Sequence, residues 1–324
     1  MRGTAVLDIH LTDDDADQSL RDDVRAGLTG TPKALPPKWF YDTRGSALFE
    51  EITELPEYYP TRTEATLLRR SVGEIAAVSG ADMLVELGSG SSTKTRLLLD
   101  AFTRAGTLRS YVPQDVSESA LRLAMNGLAP DYPGLTLHGV VGDFTCHLDR
   151  LPRGTRRMVA FLGGTIGNLV PHERRTFLSR LRSVLAPGEQ LLLGTGLVTD
   201  PAVMVPAYDD AAGVTAEFNR NVLHVLNREL GADFEVDTFA HVALWDAENE
   251  WIEMRLRATR ASTVHIPALD LTVDFAEGEE LRTEISAKFR REGVRGMLAE
   301  TGFALTRWWA DPDERFGLTL AAAV

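Results

Sequence analysis

One turn of this chain carries the residues with the clearest chemical potential. Glu86-Leu87-Gly88-Ser89-Gly90 directly follows the apolar run Met83-Leu84-Val85. The two glycines can adopt positive φ, and without a Cβ they let a ligand approach the backbone. The helix predicted to follow presents unpaired N–H groups at its start. This strand-turn-helix pattern predicts a binding site for a nucleotide-like cofactor.

Three ligand classes compete for this turn. A dinucleotide motif needs a third glycine where this chain has Thr93, and a phosphate-binding loop needs glycine at the same position, before Lys94. The third class, S-adenosylmethionine, needs an acid opening the turn, glycines under the methionine part and an acid at the end of the next strand. The residues that supply this set are Glu86, Gly88, Gly90 and Asp115.

A further predicted strand also ends in residues suited to a base. Asp143 and Phe144 follow the apolar segment 135–141. The carboxylate can accept a hydrogen bond from an exocyclic amine, and the ring can cover the π-face of adenine. Each acid alone would fit a helix N-cap, but acids at three successive strand ends favour the adenine-containing cofactor.

The composition favours small-molecule chemistry. The chain has 324 residues, 44% of them hydrophobic, which is enough for one large domain or two smaller ones. Its 34 basic and 47 acidic residues give a net charge of -13, which argues against a nucleic-acid surface. The acidic run at 13–17 is expected to be a solvated, mobile segment.

Cysteine and histidine usage adds further expectations. Cys146 is the single cysteine, and neither an apolar leader nor a stretch of roughly 18 apolar residues is present. We therefore expect a cytoplasmic protein that does not bind a membrane, and a monomer. His138 and His147 lack metal-ligand spacing, so no metal is expected.

From residue 64 onward, helical and strand patterns alternate, which predicts an α/β fold with a parallel sheet covered on both faces. The predicted helices are 64–77, 92–104, 117–126 and 171–185, and the predicted strands are 83–87, 110–115, 135–141, 157–163 and 189–195. Strands at 303–309 and 316–323 are expected to add an antiparallel hairpin. This is the Rossmann-like arrangement of class I S-adenosylmethionine-dependent methyltransferases.

The segment after residue 198 breaks the alternation. Up to about residue 285 it is predicted to contain a helical region at 202–230 and strands at 236–245, 250–260 and 269–276, and a helix at 285–301 is predicted to follow it. Together with the aromatic and proline-rich N-terminal part, it predicts a second, α+β domain for the substrate. The expected domains are a cofactor-binding core of 61–198 plus 286–324 and a substrate domain of 10–60 plus 199–285.

Read together, these motifs resemble the L-histidine Nα-methyltransferases of ergothioneine biosynthesis, which convert histidine to its trimethylated betaine, hercynine. The similarity runs from about Pro32 to Val324, and several of its blocks lie outside the generic cofactor fold. The blocks are Lys38-Trp39-Phe40-Tyr41-Asp42, Leu55-Pro56-Glu57-Tyr58-Tyr59-Pro60-Thr61-Arg62, Gly88-Ser89-Gly90, Gly164-Thr165-Ile166-Gly167-Asn168, Tyr208-Asp209-Asp210-Ala211 and Thr283-Glu284-Ile285-Ser286.

The resemblance implies roles for individual residues. The implied cofactor contacts are Gly88, Lys94, Asp115, Asp143 and Phe144. The implied histidine contacts are Tyr58, Gly163, Asn168, Tyr208, Met254, Glu284 and Ser286, with Tyr41 near the amine as a candidate proton relay. On a strand, Glu284 and Ser286 share a face, so their carboxylate and hydroxyl can pair the two nitrogens of an imidazole.

The implied reaction is S-adenosylmethionine-dependent trimethylation of the α-amine of L-histidine. Each transfer would be an in-line displacement in which the neutral amine attacks the methyl carbon of the sulfonium. Two alternatives remain open. One is an N-methyltransferase of another small amine or amino acid, and the other is a protein that binds S-adenosylmethionine as a sensor, without turnover.

Overall fold

The computed structural model describes residues 5–90 and 94–324. The predictions that involve Thr93, and the start of the helix predicted at 92–104, lie outside these residues. The chain divides into two compact units. Unit 1 consists of Met1–Thr12, Thr63–Leu197 and Phe289–Val324, and unit 2 consists of Asp13–Arg62 and Val198–Lys288.

The described residues form thirteen strands and nine α-helices. The strands are β1 (Ala5–Ile9), β2 (Met83–Leu87), β3 (Ser110–Asp115), β4 (Thr136–Val141), β5 (Arg157–Phe161), β6 (Gln190–Gly196), β7 (Phe239–Asp246), β8 (Trp251–Ala258), β9 (Ser262–Ile266), β10 (Leu271–Phe275), β11 (Glu280–Ala287), β12 (Phe303–Ala310) and β13 (Phe316–Ala323). The helices are α1 (Asp13–Thr29), α2 (Thr43–Glu54), α3 (Tyr59–Ser79), α4 (Thr95–Arg104), α5 (Glu118–Leu128), α6 (Pro171–Val184), α7 (Pro201–Met204), α8 (Val214–Leu230) and α9 (Arg291–Glu300).

Unit 1 is built on an eight-stranded sheet in the order β1-β4-β3-β2-β5-β6-β13-β12. The first six strands in this order are parallel, whereas β13 and β12 pair in antiparallel fashion. Strand β5 is buried along its whole length, as expected for a parallel strand covered on both faces. The predicted parallel sheet and its terminal hairpin are confirmed.

The carboxyl ends of the parallel strands meet at one edge of this sheet, where ligands bind in open α/β folds. The segments that follow β2, β3, β4 and β5 therefore lie along the same edge. Helix α5 begins there with a cap, because the Ser117 hydroxyl accepts a hydrogen bond from the N–H of Ala120 at 3.2 Å. The sheet thus places the residues that follow its strands at one edge.

Unit 2 contains a three-stranded antiparallel sheet, β11-β8-β7, and a two-stranded ribbon, β10-β9. Its core includes Phe40, Phe218 and Phe239, which are almost completely buried. Helix α2 begins at a cap in which the Asp42 carboxylate accepts from the N–H of Gly45 at 2.8 Å. A Cβ at Gly45 would lie 1.7 Å from the Phe40 carbonyl oxygen, so only glycine permits this approach.

Two expectations about local structure were wrong, and two strands were not predicted. The acidic run at 13–17 is largely exposed, as expected, but it begins helix α1 because Leu20, Val24 and Leu28 give that helix a buried apolar face. The helix predicted at 285–301 begins only at Arg291, because pairing with β8 extends β11 to Ala287. Strands β1 and β9 have no counterpart among the predicted elements.

Candidate functional site

The glycine turn after β2 lies at the carboxyl edge of the unit 1 sheet. Gly88 and Gly90 have φ values of 68° and 48°, in the left-handed region that favours glycine. A Cβ at either position would meet no atom of the described residues within 4 Å. The carbonyl oxygen of Gln114 fixes the turn by accepting from the N–H groups of Gly88 and Ser89, at 2.9 and 3.1 Å. The turn thus offers an accessible backbone to a ligand.

Asp115 ends β3 beside this turn. One carboxylate oxygen accepts from the N–H of Gly90 at 2.9 Å, and the other accepts from the N–H of Ser117 at 3.1 Å. The side chain is partly exposed, and each carboxylate oxygen has capacity for a further hydrogen bond. Asp115 can therefore hold the glycine turn and also accept from the hydroxyls of a ribose.

Asp143 and Phe144 follow β4 at the same sheet edge. The Asp143 Oδ1 accepts from the N–H and the hydroxyl of Thr145, at 2.7 and 2.6 Å. The Phe144 ring packs edge-on against Phe161 and Phe177, with centroids 5.1 and 5.7 Å apart, and remains partly exposed. These contacts fix a carboxylate and an aromatic ring side by side, where a base could lie against both.

Glu86 lies near the end of β2 with its side chain buried. One carboxylate oxygen accepts hydrogen bonds from the hydroxyls of Thr95 and Tyr111. Burial raises the pKa of Glu86 to about 7, although these two hydrogen bonds act in the opposite direction. Glu86 thus ties the strand before the turn to the helix after it and to the neighbouring strand.

Lys94 stands just before α4 and forms an ion pair with Glu64 of α3, whose side chain is fully buried. The second Glu64 oxygen accepts from the N–H of Gly163 at 2.7 Å. A Cβ at Gly194 in β6 would lie 2.4 Å from that oxygen, so glycine leaves the room that the carboxylate occupies. A single buried carboxylate therefore joins a predicted cofactor residue to a predicted substrate residue.

The loop after β5 carries the two predicted substrate residues of unit 1. Gly163 and Gly164 have φ values of 76° and 72°, so the chain turns sharply after the buried strand. Gly163 is exposed, and Asn168 is partly exposed at the end of the short 3-10 helix Thr165–Asn168. Both residues thus follow the carboxyl end of a central parallel strand.

The predicted tyrosines of unit 2 form a continuous series of ring contacts. Tyr41 packs edge-on against Phe49 at 5.5 Å between centroids, Phe49 against Tyr58 at 6.1 Å, and Tyr58 against Tyr208 at 6.3 Å. Edge-to-face packing is a favoured geometry for aromatic rings. The fold therefore brings together three tyrosines that come from separate segments of the chain.

Glu284 and Ser286 lie on one face of β11, as residues two apart on a strand do. In the pairing with β8, Glu284 is opposite Met254 and Ser286 is opposite Ile252. The register shifts at an irregularity between Arg282 and Glu284, just before the two polar residues. The structure thus places Met254 beside Glu284 on the same sheet.

Tyr208 and Ser286 meet through their hydroxyls, which are 2.7 Å apart. Lys288 donates from its Nζ to both hydroxyl oxygens, at 2.8 Å each. All three side chains are buried. The aromatic series and the polar face of β11 are therefore continuous, with Tyr208 common to both.

Comparison with known proteins identifies the family. A family profile described as histidine-specific, S-adenosylmethionine-dependent methyltransferase matches residues 20–323. The chain is 58% identical to a histidine N-alpha-methyltransferase of Mycolicibacterium smegmatis, over 98% of this chain and 99% of that protein. The histidine N-alpha-methyltransferase of Mycobacterium tuberculosis is 56% identical, over 97% of this chain and 98% of that protein. The chain belongs to the histidine-specific methyltransferase family.

A more distant relative has a larger chain. Ergothioneine biosynthesis protein 1 of Neurospora crassa is 31% identical over 90% of this chain, which corresponds to 33% of that protein. Family membership confirms the resemblance that the sequence motifs suggested. It also confirms the class I methyltransferase fold and S-adenosylmethionine as the methyl donor.

The residues at the unit 1 edge fit this donor. The space beside Gly88 and Gly90 admits a ligand close to the backbone. Asp115 offers acceptors for a diol, and Asp143 with Phe144 offers an acceptor and a ring for adenine. The chemistry of these residues is therefore compatible with the methionine, ribose and adenine parts of S-adenosylmethionine.

The tyrosines of this methyltransferase are poor phenolate candidates. Desolvation raises the pKa of Tyr41, and the nearby Glu284 carboxylate and Tyr208 add to the effect, although the residue as a whole is 45% exposed. Desolvation and Glu284 also raise the pKa of Tyr208, while its hydrogen bond to Ser286 acts in the opposite direction. Both hydroxyls therefore keep their protons at neutral pH.

Within residues 5–90 and 94–324, no three His, Cys, Asp or Glu side chains are grouped so that they could hold a metal ion. Over the same residues, no helix combines the length and the apolar character that a membrane span requires.

Two residues with clear structural roles were missing from the predicted set. Glu64 has no local signal, because its partners Lys94 and Gly163 are distant in sequence. Lys288 continues the two-residue spacing of Glu284 and Ser286, so the alternation of a strand could have indicated it. The helix predicted from residue 285 concealed that alternation.

Proposed function

We propose that this protein transfers three methyl groups from S-adenosylmethionine to the α-amine of L-histidine, forming hercynine for ergothioneine biosynthesis. The observation that carries the proposal is the shared position of Glu284, Ser286 and Met254 on two adjacent strands of unit 2. The two relatives at 56% and 58% identity, both named histidine N-alpha-methyltransferases, support the same substrate.

The polar face of β11 suits an imidazole. A neutral imidazole has one N–H donor and one unprotonated nitrogen, which point to opposite edges of the ring. The Glu284 carboxylate can accept from the donor, and the Ser286 hydroxyl can donate to the other nitrogen. Met254, opposite Glu284, offers an adaptable apolar contact to the ring. This combination favours histidine over amines that lack two ring nitrogens.

The remaining substrate contacts are proposed from the family resemblance together with their chemistry. The Tyr58 hydroxyl can donate to the substrate carboxylate, and Tyr208 shares with Ser286 one remaining hydroxyl proton that can reach either this carboxylate or the imidazole nitrogen. Asn168 can donate to the same kind of group through its amide. Gly163, which has no side chain, would let the amine approach the backbone. All four groups are uncharged, so recognition would depend on directed hydrogen bonds.

S-adenosylmethionine, when bound, supplies an electrophilic methyl group on its sulfonium. The leaving group is a neutral thioether, so its departure needs no acid catalyst. Asp115 is proposed to hold the ribose, and Asp143 with Phe144 the adenine. Lys94 is proposed to pair with the carboxylate of the methionine part, and Gly88 and Gly90 to border it. Glu86 supports the turn from within the sheet.

Tyr41 is proposed to relay the proton that the substrate ammonium must lose before it attacks. Because the pKa of Tyr41 is raised, its hydroxyl would not act as a phenolate. It would take the ammonium proton on its oxygen and release its own proton to solvent water, which the partly exposed residue can reach. Alignment of the amine with the methyl carbon would supply most of the acceleration, since oriented reactions reach effective molarities of roughly 10⁵ M or more.

The test is mass spectrometry of the purified protein incubated with S-adenosylmethionine and L-histidine. We expect products heavier by one, two and three methyl groups, with S-adenosylhomocysteine formed in proportion. Histamine and tyramine serve as comparison substrates, and we expect histidine to exceed both in kcat/KM.

Three outcomes would contradict all or part of the proposal. Faster methylation of histamine or tyramine would assign the protein to another small amine. Binding of S-adenosylmethionine by calorimetry without turnover of any of the three amines would indicate a sensor. A product that stops at one or two methyl groups would restrict the proposed reaction to partial methylation.

A further inference from the structure

Lys288 follows β11 directly, two residues beyond Ser286, and is buried. Its Nζ donates to Tyr208 Oη and Ser286 Oγ at 2.8 Å each, and these two oxygens are 2.7 Å apart. The three polar atoms form a closed triangle within unit 2. Two of its corners are residues that the proposed function assigns to the substrate.

The protons in this triangle determine what it can offer to a ligand. A lysine amine has at least two N–H donors in either protonation state, whereas each hydroxyl has a single proton. The contact between Tyr208 and Ser286 uses one of the two hydroxyl protons. One hydroxyl proton therefore remains, and the pair can present one donor to a substrate atom.

The two hydrogen bonds from Lys288 also restrict how the hydroxyls rotate. A hydroxyl without such a partner can turn its proton in several directions, and fixing it costs conformational entropy when a ligand binds. A hydroxyl that accepts a hydrogen bond is in addition a stronger donor, because hydrogen bonds in a chain polarise one another. Lys288 thus both orients the remaining proton and strengthens the bond that it makes.

The charge state of Lys288 does not alter this geometry. Burial lowers the pKa of Lys288, whereas Tyr59 and the Glu284 carboxylate act in the opposite direction. Loss of one proton leaves two N–H bonds, which is the number that the two hydroxyl oxygens accept.

We propose that Lys288 is a positioning residue for the substrate. By donating to Tyr208 and Ser286, it directs their remaining hydroxyl proton toward a hydrogen-bond acceptor of histidine, either a carboxylate oxygen or the unprotonated imidazole nitrogen. The inference rests on the proposed function and adds to it a residue that acts through the two hydroxyls and does not itself touch the substrate.

The test is a set of double-mutant cycles in the full-length protein. Lys288→Met, Tyr208→Phe and Ser286→Ala are combined pairwise, and KM for histidine, KM for S-adenosylmethionine and kcat are measured for each variant. Lys288→Met is expected to raise KM for histidine roughly 10- to 100-fold, within the range for loss of a charge-assisted hydrogen bond. KM for S-adenosylmethionine should change less than about threefold.

The cycles separate positioning from general stabilisation. If Lys288 acts through the hydroxyls, Lys288→Met should raise KM for histidine far less in the Tyr208→Phe or Ser286→Ala background than in the wild-type background. Fully additive effects in both cycles overturn the proposal. If Lys288→Met fails to fold by circular dichroism, Lys288→Leu, which also lacks an N–H donor, replaces it in the same cycles.

A matched lysine supplies the control. Lys33 of unit 2 pairs with Glu279 and has no contact with the triangle, so Lys33→Met should leave KM for histidine unchanged. L-histidinamide as a competitor identifies the acceptor. If the preference for histidine over L-histidinamide is smaller in Lys288→Met than in the wild type, the acceptor is the substrate carboxylate. If the preference is unchanged, the acceptor is the imidazole nitrogen.

The two proposals can fail separately. Turnover of histidine by the wild type together with a wild-type KM in Lys288→Met overturns the inference about Lys288 and leaves the proposed function intact. Absence of histidine turnover in the wild type overturns both.

Discussion

The two units of this methyltransferase hold their candidate ligand residues in different ways. In unit 1, the cofactor candidates follow consecutive strands of one parallel sheet, and the backbone itself forms part of the site at Gly88 and Gly90. In unit 2, side chains from separate segments converge on Tyr208 through ring contacts and hydroxyls. A site built on a strand-turn-helix unit can be recognised locally, whereas one built from scattered side chains can be recognised only in the fold.

Glu64→Ala should have the largest effect, because it should impair the use of both substrates although Glu64 belongs to unit 1. Removing its carboxylate leaves Lys94 and the N–H of Gly163 without their partner, and losing one member of such a pair costs several kcal/mol when the pair is buried. Since Lys94 is partly exposed, we expect kcat/KM to fall roughly 100-fold for both substrates.

The control for Glu64 is Glu74→Ala on the same helix, where the carboxylate contacts the Trp309 indole and Arg307 at the surface. Thermal unfolding of each variant distinguishes loss of the site from loss of the fold. An effect confined to one substrate would show that Glu64 serves a single unit 1 loop.

Glu284→Ala, in unit 2, should impair binding of histidine far more than binding of S-adenosylmethionine. It removes a substrate contact of the kind worth about 1.5–3 kcal/mol, so we expect KM for histidine to rise roughly 10- to 100-fold. Steady-state kinetics with each substrate varied in turn should show little change in KM for S-adenosylmethionine. Glu280→Ala on the same strand, which loses ion pairs to Arg255 and Arg257, should leave both KM values near wild type. Equal changes for both substrates would remove Glu284 from imidazole binding.

Asp115→Ala, in unit 1, should weaken binding of S-adenosylmethionine. The substitution removes the proposed ribose acceptor and the hydrogen bond to the N–H of Gly90, so cofactor affinity should fall roughly 10-fold or more by calorimetry. Circular dichroism should show an intact fold. Asp131→Ala, which removes a surface partner of Arg96, is the control. An unaltered affinity in Asp115→Ala would separate Asp115 from the cofactor.

Glu86→Gln should have the smallest effect, on the pH dependence of stability. The pKa of Glu86 is about 7 in the folded protein and 4.5 in the reference state, so the unfolded chain loses this proton first as pH rises. The contribution of Glu86 to stability is therefore full below about pH 4.5 and is lost as pH rises through about 7.

The glutamine variant has no proton to lose at this position. Between pH 5 and 8, measured without ligand, its Tm should decline less than that of the wild type, by a few degrees for roughly each 1 kcal/mol of difference. Parallel Tm curves for the two proteins would mean that Glu86 titrates normally in the fold.

The fold of unit 1 could be predicted closely because its strands are short apolar runs separated by helices. Strand β3 has the bounds that the sequence indicated, Ser110–Asp115. In unit 2, the predicted strands at 236–245, 250–260 and 269–276 correspond to β7, β8 and β10, whereas β9 was not predicted and the end of β11 was predicted as a helix. The first three residues of the helix predicted at 285–301 belong to β11, where pairing with β8 outweighs the local preference.

The candidate site divides in the same way. Asp115 and Asp143 could be proposed from their positions after strands, without any relative. Tyr58, Tyr208 and Glu284 carry no such signal, and only the family resemblance indicated them. Glu64 was beyond both kinds of argument, because its role depends on two contacts that exist only after the chain has folded.

The closeness of Gly194 to the Glu64 carboxylate has an evolutionary consequence. A methyl group at position 194 and a carboxylate at position 64 would compete for the same space. Substitution at either position should therefore be tolerated only when the other changes as well. We expect the two positions to covary among homologues, with glycine at 194 wherever an acidic residue occupies 64. Glycine at 194 would then be retained together with the ion pair of residue 64.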